Sequence, residues 1–171
     1  MNRRSILSLS AISAVGFALL PGSAVAEQKT LKELIIGTWS LVFWEQTYHD
    51  GRKDQVFGAN PKGINTFDAS GRFTSIFLRP DLPKLASNDR VKPTPEEAMA
   101  IAKGAIVYYG TYTVNEAEKS ISLNIEGTNF PNQMGTAQNR IVTTISADEL
   151  KYRNLTSTSG AQIEHAFKRI K

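Results

Sequence analysis

The sequence predicts an all-β protein: an up-and-down antiparallel β-barrel of about eight to nine strands with one short helix inserted mid-chain. Segments rich in β-branched and aromatic residues recur along the chain and alternate apolar with polar residues, as strands with one buried face do. Tight turns such as Asp50-Gly51 and Asp68-Ala69-Ser70-Gly71 join these segments. Strands joined in chain order by hairpins remove their exposed edges by closing into a barrel.

Residues 1–26 differ from the rest and predict an export signal. Arg3-Arg4 is a charged start, residues 6–20 are mildly apolar, and Ala24-Val25-Ala26 is a small-x-small cleavage site. The apolar run is shorter than the roughly 20 residues that a membrane span requires. We therefore expect residues 27–171 to form one periplasmic or secreted domain without stable membrane insertion. The arginine pair leaves Sec and twin-arginine export both open.

Composition excludes several classes of protein. The 171 residues contain no cysteine, which excludes a disulfide scaffold, a thiolate zinc site and a cysteine nucleophile. The net charge of +4 includes two arginines of the predicted signal, and the other basic residues are scattered, so no nucleic-acid partner is expected. No Gly-x-Ser-x-Gly, His-Glu-x-x-His, phosphate-loop or calcium-loop motif occurs. We expect no metal and no cofactor.

The elements of the predicted barrel follow in order after a short helical turn in residues 27–35, which is polar and then apolar. The first long strand begins at Gly37 and contains Trp39, Leu41 and Phe43 in alternation with their neighbours. The remaining predicted strands are Lys53–Phe57, Ile64–Phe67, Arg72–Leu78, Ile106–Val114, Ser120–Glu126, Gln138–Ile145, Glu149–Leu155 and Gln162–Ile170.

The inserted helix is predicted from its start and stop signals. Thr94 with Glu97 three residues later forms a capping box, and Pro95 occupies the first helical position, where it loses no hydrogen bond. Gly104 ends the helix. Four prolines in residues 79–95 predict a long loop before it, because proline cannot donate to a strand ladder.

The chain resembles the lipocalin-like domain family of bacteria and fungi over residues 34–170. The likeness rests on an ordered set of motifs: Gly37-Thr38-Trp39-Ser40-Leu41, Glu45, Asp50-Gly51, Gly58, Pro61-x-Gly63, Phe67-Asp68-x-x-Gly71-Arg72, Arg79-Pro80, Thr94-Pro95-Glu96-Glu97, Tyr108-x-Gly110-x-Tyr112-x-Val114, Pro131-Asn132-x-x-Gly135-x-x-Gln138-x-Arg140 and Glu149-Leu150. The resemblance implies a calycin-type barrel with a central cavity for a small, largely apolar molecule.

The chain departs from that family at two places. Many members carry two histidines where this sequence has Leu123 and Asn124, and they often have tryptophan where Gln133 stands. A metal or acid–base role built on the histidine pair is therefore not expected here.

Strand parity predicts which side chains face the barrel lumen, since every second residue of a strand points to the same side. The inward set combines apolar walls with a few polar groups, which is the mixture that a binding pocket needs. From it we predict eight ligand-binding residues: Glu45, Asn65, Phe67, Phe77, Tyr108, Tyr112, Gln138 and Arg140. Trp44, of opposite parity to Trp39, is expected to face outward.

Two charged residues of this set stand out. Glu45 and Arg140 would both be buried, so each needs a partner. They either hold a polar end of the ligand or form a structural ion pair that closes one end of the barrel. By analogy with lipocalins, Arg140 or Arg169 is expected to stack on Trp39.

Three functions remain open. The first is an exported protein that binds a small hydrophobic molecule without catalysis. The second is an isomerase, cyclase or hydrolase that uses the cavity, with Glu45 as its acid or base and Arg140 or Tyr112 stabilising an oxyanion. The third is a structural or interaction domain with a filled barrel. Neither His49 nor His165 is placed beside a nucleophile, so neither predicts a catalytic triad.

Overall fold

A closed antiparallel β-barrel forms the body of the protein, as predicted. A computed structural model describes residues 29–155 and 157–171; the predicted signal lies outside these residues. The strands are β1 Gly37–Thr47, β2 Lys53–Asp54, β3 Lys62–Phe67, β4 Arg72–Leu78, β5 Ala105–Asn115, β6 Ser120–Thr128, β7 Ala137–Ile145, β8 Glu149–Asn154 and β9 Gln162–Arg169. All but β2 form the barrel in chain order, and β9 pairs with β1 to close it. The short β2 extends the sheet beyond β1.

The described residues also form two α-helices, α1 Leu31–Ile35 and α2 Pro95–Gly104, and one turn of 3₁₀ helix, Pro131–Gln133. The predicted capping box of α2 is present: Thr94 Oγ1 accepts from the Glu97 amide, and the Glu97 carboxylate accepts from the Thr94 amide at 2.8 Å. The other Glu97 oxygen accepts from the Ala86 amide and so fixes the proline-rich loop to the helix. None of the helices in the described part of the chain is long and apolar enough to cross a bilayer.

One end of the barrel is closed by α1. Its buried side chains are Leu31 and Ile35, and the Trp39 indole donates to the Ile35 carbonyl at 2.8 Å. The carboxylate of Glu116 accepts from the first two amides of α1, which would otherwise lack partners. The helix is therefore attached to the barrel by both packing and hydrogen bonds.

Arg169 completes this closed end. Its guanidinium carbon lies 4.0 Å from the centroid of the Trp39 ring, so Arg169 rather than Arg140 occupies the stacking position. The same guanidinium donates to the carbonyls of Leu34 and Ile36. One side chain thus joins the last strand to the residues that precede the first.

A β-bulge in β1 changes the predicted parity of that strand. Leu41 pairs with Phe167 and Phe43 with Ala166, so Val42 is an extra residue, and its side chain is 41% exposed. Beyond the bulge Trp44 points inward with 4% exposure. The predictions that Trp44 faces outward and Phe43 inward are wrong for this reason.

β2 is shorter than the predicted strand Lys53–Phe57. Phe57 leaves the sheet and packs on Trp44, with ring centroids 4.6 Å apart. Burial of the Phe57 ring, which is 2% exposed, replaces further strand pairing.

A second bulge, between β5 and β6, depends on Gly110. A Cβ atom at this position would lie 1.9 Å from the Asn124 carbonyl oxygen. Only glycine allows the two strands to approach this closely.

Candidate functional site

The open end of the barrel, opposite α1, contains a cavity of about 580 Å³. Its wall is formed where β1, β5, β7, β8 and β9 end or begin. The lining includes Trp44, Ile106, Tyr108, Gln138, Arg140, Asn154, Leu155 and Ile163. This volume lies within the range of about 300–1,000 Å³ typical of small-molecule pockets.

The closed half of the lumen is filled by side chains. Apolar and aromatic residues from all eight barrel strands meet there with little or no exposure: Leu41, Phe67, Phe73, Tyr112, Ile121, Leu123, Val142, Leu150 and Phe167. Such packing is typical of a protein core. The barrel therefore has two halves, a packed core beneath α1 and a cavity at the opposite end.

Three of the predicted site residues line the cavity: Tyr108, Gln138 and Arg140. Phe77 is buried directly behind the wall, with its ring 5.2 Å from Trp44 and 6.2 Å from Tyr108.

The other inward-facing predictions lie deeper. Asn65 is buried in the lumen, and Phe67 lies in the packed half, where its ring is 5.0 Å from Tyr112. The Tyr112 hydroxyl donates to the Asp68 carbonyl in the turn at the closed end, and burial raises the pKa of this hydroxyl above its usual value. The structure places these three side chains in the lumen without bringing them to the cavity.

Glu45 does not face the lumen. It follows the bulge in β1, and its side chain, 18% exposed, points to the outer surface, where it accepts from Lys53 Nζ at 2.7 Å. The predicted pair of Glu45 with Arg140 is not formed. The acid–base hypothesis therefore loses the carboxylate on which it rested.

Arg140 is nevertheless buried, with 4% exposure. One terminal nitrogen donates to Gln138 Oε1 at 2.6 Å and lies 3.5 Å from the Tyr108 hydroxyl. The other donates to the Asn139 carbonyl at 3.3 Å. The guanidinium carbon is 6.0 Å from the centroid of the Tyr152 ring. All of these neighbours are neutral.

A chain of hydrogen bonds supports the floor beneath Arg140. Ser75 Oγ donates to Asn65 Oδ1 at 2.9 Å, and Asn65 Nδ2 donates to the Tyr152 hydroxyl at 3.0 Å. Burial raises the pKa of Tyr152 far above its usual value, so the phenol stays protonated. These pairings give Asn65 a structural role that fixes the Tyr152 ring.

His165 also lies in this floor, with 1% exposure. Its ring centroid is 4.2 Å from Trp44 and 4.8 Å from Tyr152. Burial, reinforced by the positive charge of Arg140, holds the pKa of His165 well below its usual value. The imidazole is therefore neutral near pH 7.

Four buried polar atoms lack a hydrogen-bond partner among the described residues: Trp44 Nε1, Arg140 Nε, Asn154 Oδ1 and His165 Nδ1. Three belong to residues that line the cavity, and the fourth belongs to the ring packed against Trp44. Buried polar atoms are almost always paired in folded proteins. Their grouping at one place marks the open half of the lumen as a site with unused hydrogen-bonding capacity.

Sequence reasoning did not select Trp44, Asn154 or His165 for the site. Asn154 shares parity with Leu150 and Tyr152, and His165 shares parity with Ile163 and Phe167. Extending these two patterns would have found both residues. Trp44 gave no such signal, because its orientation depends on the bulge.

The described residues bring no three histidine, aspartate or glutamate side chains close enough to hold a metal ion. The cavity itself offers amide, phenol, indole and guanidinium groups. This set can bind a polar group through hydrogen bonds and charge, and the described lining residues include no carboxylate that could act as a base.

A closed eight-stranded antiparallel barrel with a cavity at one end has the architecture of a ligand-binding barrel. The chain matches the lipocalin-like domain family over residues 36–170, and it belongs to that family. No curated protein matches it.

Several solved structures are similar to this chain. A lipocalin-like protein from Bacteroides uniformis is 17% identical, with 80% of this chain and 98% of that chain covered and a TM-score of 0.43. A redesigned β-barrel, b11L5F_LGL, is 14% identical, with coverage of 85% and 100% and a TM-score of 0.44. The redesigned β-barrel mFAP1, solved bound to DFHBI, is 16% identical, with coverage of 82% and 100% and a TM-score of 0.41.

Proposed function

We propose that this protein binds a small, largely apolar molecule in the cavity at the open end of its barrel. The observation that carries the proposal is the coincidence of two features. A cavity of about 580 Å³ opens there, and the unpartnered buried polar atoms of the lumen gather at its wall and floor. A bound molecule would cover the apolar wall and place its polar group beside the residues that carry these atoms.

The wall explains how affinity would arise. Ile106, Leu155 and Ile163 offer aliphatic surface, and Trp44 adds an aromatic face. Burying about 200 Å² of apolar ligand surface contributes roughly 5 kcal/mol before the entropic costs of binding are subtracted. The few polar groups would then orient the molecule rather than supply most of its affinity.

Fluorescence titration with anilinonaphthalenesulfonate, excited directly, tests this function. The wild-type protein is expected to show saturable binding of one probe molecule. Ile106→Trp places a large ring into the cavity and should abolish the signal. Tyr109→Trp is the matched control, because it enlarges an exposed side chain three residues further along β5.

Two results would overturn the proposal: no saturable binding of either this probe or its uncharged analogue phenylnaphthylamine to the wild type, or equal binding to I106W. Cooperative urea unfolding of each variant confirms that it is folded, which matters because this probe also binds partly unfolded chains.

We further propose that residues 1–26 direct export and are removed. Support comes from the arginine start, the apolar run and the Ala24-Val25-Ala26 site. Amino-terminal sequencing of protein recovered from outside the cytoplasm should then begin at Glu27. Recovery in the cytoplasm alone, with Met1 retained, would contradict this proposal.

A further inference from the structure

Arg140 is a buried cation without a counter-charge in the described part of the chain. Seven ion pairs form among the described residues, and none includes it. Its hydrogen-bond acceptors are the neutral oxygens of Gln138, Asn139 and Tyr108. Burial of a charge without an opposite charge is costly, so it is rarely retained without a use.

Neighbouring groups do not neutralise this charge. Glu45 points to the outer surface and pairs with Lys53. The phenol of Tyr152 and the imidazole of His165 are both uncharged at neutral pH, because burial disfavours their ionised forms. The described residues of the lumen therefore carry one net positive charge, at the floor of the cavity.

The unpartnered donors point to the same chemistry. Arg140 Nε and Trp44 Nε1 can only donate hydrogen bonds, and both belong to residues that line the cavity. An anionic oxygen is the strongest acceptor for such donors, and a guanidinium can bind two oxygens of one group at once.

From this geometry we infer that the bound molecule carries an anionic head group, which docks on Arg140 and Trp44 while its apolar body lies against Ile106 and Ile163. A carboxylate or sulfonate fits the fork of Arg140. The inference rests on the proposed function and adds to it the chemical class of the ligand.

A matched pair of probes tests the inference. Anilinonaphthalenesulfonate and phenylnaphthylamine share one aromatic skeleton and differ by the sulfonate. The wild-type protein should bind the sulfonate about tenfold to a hundredfold more tightly than the neutral amine, the range of a charge-assisted hydrogen bond. In Arg140→Met the affinities for the two probes should differ by no more than about threefold, chiefly because the sulfonate binds more weakly.

Two further variants test whether the affinity ratio depends on the charge and shape of the Arg140 side chain. Arg140→Lys keeps the charge and loses the fork, so its ratio should lie between those of the wild type and R140M. Arg153→Met removes an exposed arginine of β8 and should leave the ratio unchanged.

The outcomes distinguish the two proposals. If neither probe binds, the proposed function itself is wrong. If both probes bind equally to the wild type, or if R140M keeps the wild-type ratio while folded, the cavity binds apolar molecules and the anionic head group is refuted.

Discussion

Acid should destabilise this barrel through His165. The ring is enclosed by Trp44, Tyr152 and Phe77, and its pKa is lowered by burial and then by the charge of Arg140. In the unfolded chain the same ring has the ordinary histidine pKa of about 6.5. Between these two values the unfolded state binds one more proton than the folded state.

The sign and size of the effect follow from this difference. Above about pH 6.5 the ring is neutral in both states, so it gives no pH dependence. Below it, the free energy of unfolding falls by about 1.4 kcal/mol per pH unit until the lower folded pKa is reached. Asp68 and Asp81, whose carboxyl pKa values are lowered by hydrogen bonds, act in a more acidic range.

Urea unfolding followed by tryptophan fluorescence, between about pH 5 and pH 8, measures this slope. His165→Phe keeps an aromatic ring that cannot titrate and should remove the slope, whatever its effect on stability at pH 8. His49→Gln is the control, because this histidine is exposed, and it should keep the slope. A wild-type slope retained in H165F, or the absence of a slope in the wild type, would exclude His165 as the cause.

Three other variants probe the frame around the site. Gly110→Ala should lower the free energy of unfolding by at least about 2 kcal/mol, because its Cβ would clash with the Asn124 carbonyl; a urea midpoint equal to that of the wild type would contradict this. Arg169→Met should cost about 2–4 kcal/mol and loosen the closed end, which faster amide exchange in α1 would reveal and unchanged exchange would disprove. Glu116→Gln weakens the anionic cap of α1 and should cost only about 0.5–1 kcal/mol in the same unfolding assay; a loss as large as that of R169M would be inconsistent with a charge effect.

Alternation and turn chemistry predicted most of the fold, because a barrel with one wet face imposes a period of two on each strand. The helix at Thr94 was predicted because capping boxes are local in sequence. Parity placed Tyr108, Gln138 and Arg140 correctly, because the β5–β6 bulge has its extra residue in β6 and the bulge of β7 lies beyond Arg140.

The failure at Glu45 has a specific cause. Leu41-Val42-Phe43-Trp44 is a continuous apolar run, so its sequence carries no parity signal at the place where the extra residue is inserted. A shift of one residue turns every later side chain of the strand to the opposite face. Because of this single insertion, Trp44 faces the lumen and Glu45 faces outward. Glu45 therefore pairs with Lys53 instead of Arg140.

The choice between Arg140 and Arg169 could not be made from sequence either. Both were candidates for Trp39, and the strand register decides the matter, because Arg169 is the direct partner of Trp39 across β1 and β9. Arg169 reaches the carbonyls beside α1, which leaves Arg140 at the cavity with neutral neighbours.

Mapping amide chemical shifts during titration with anilinonaphthalenesulfonate locates the binding site on the barrel. If the open half of the barrel is the binding site, the shifts should concentrate at residues 106–108, 138–140 and 154–163, and those of α1 should stay unchanged. Shifts that instead cluster on the outer surface around Val42 and Tyr109, both exposed, would contradict a site inside the barrel.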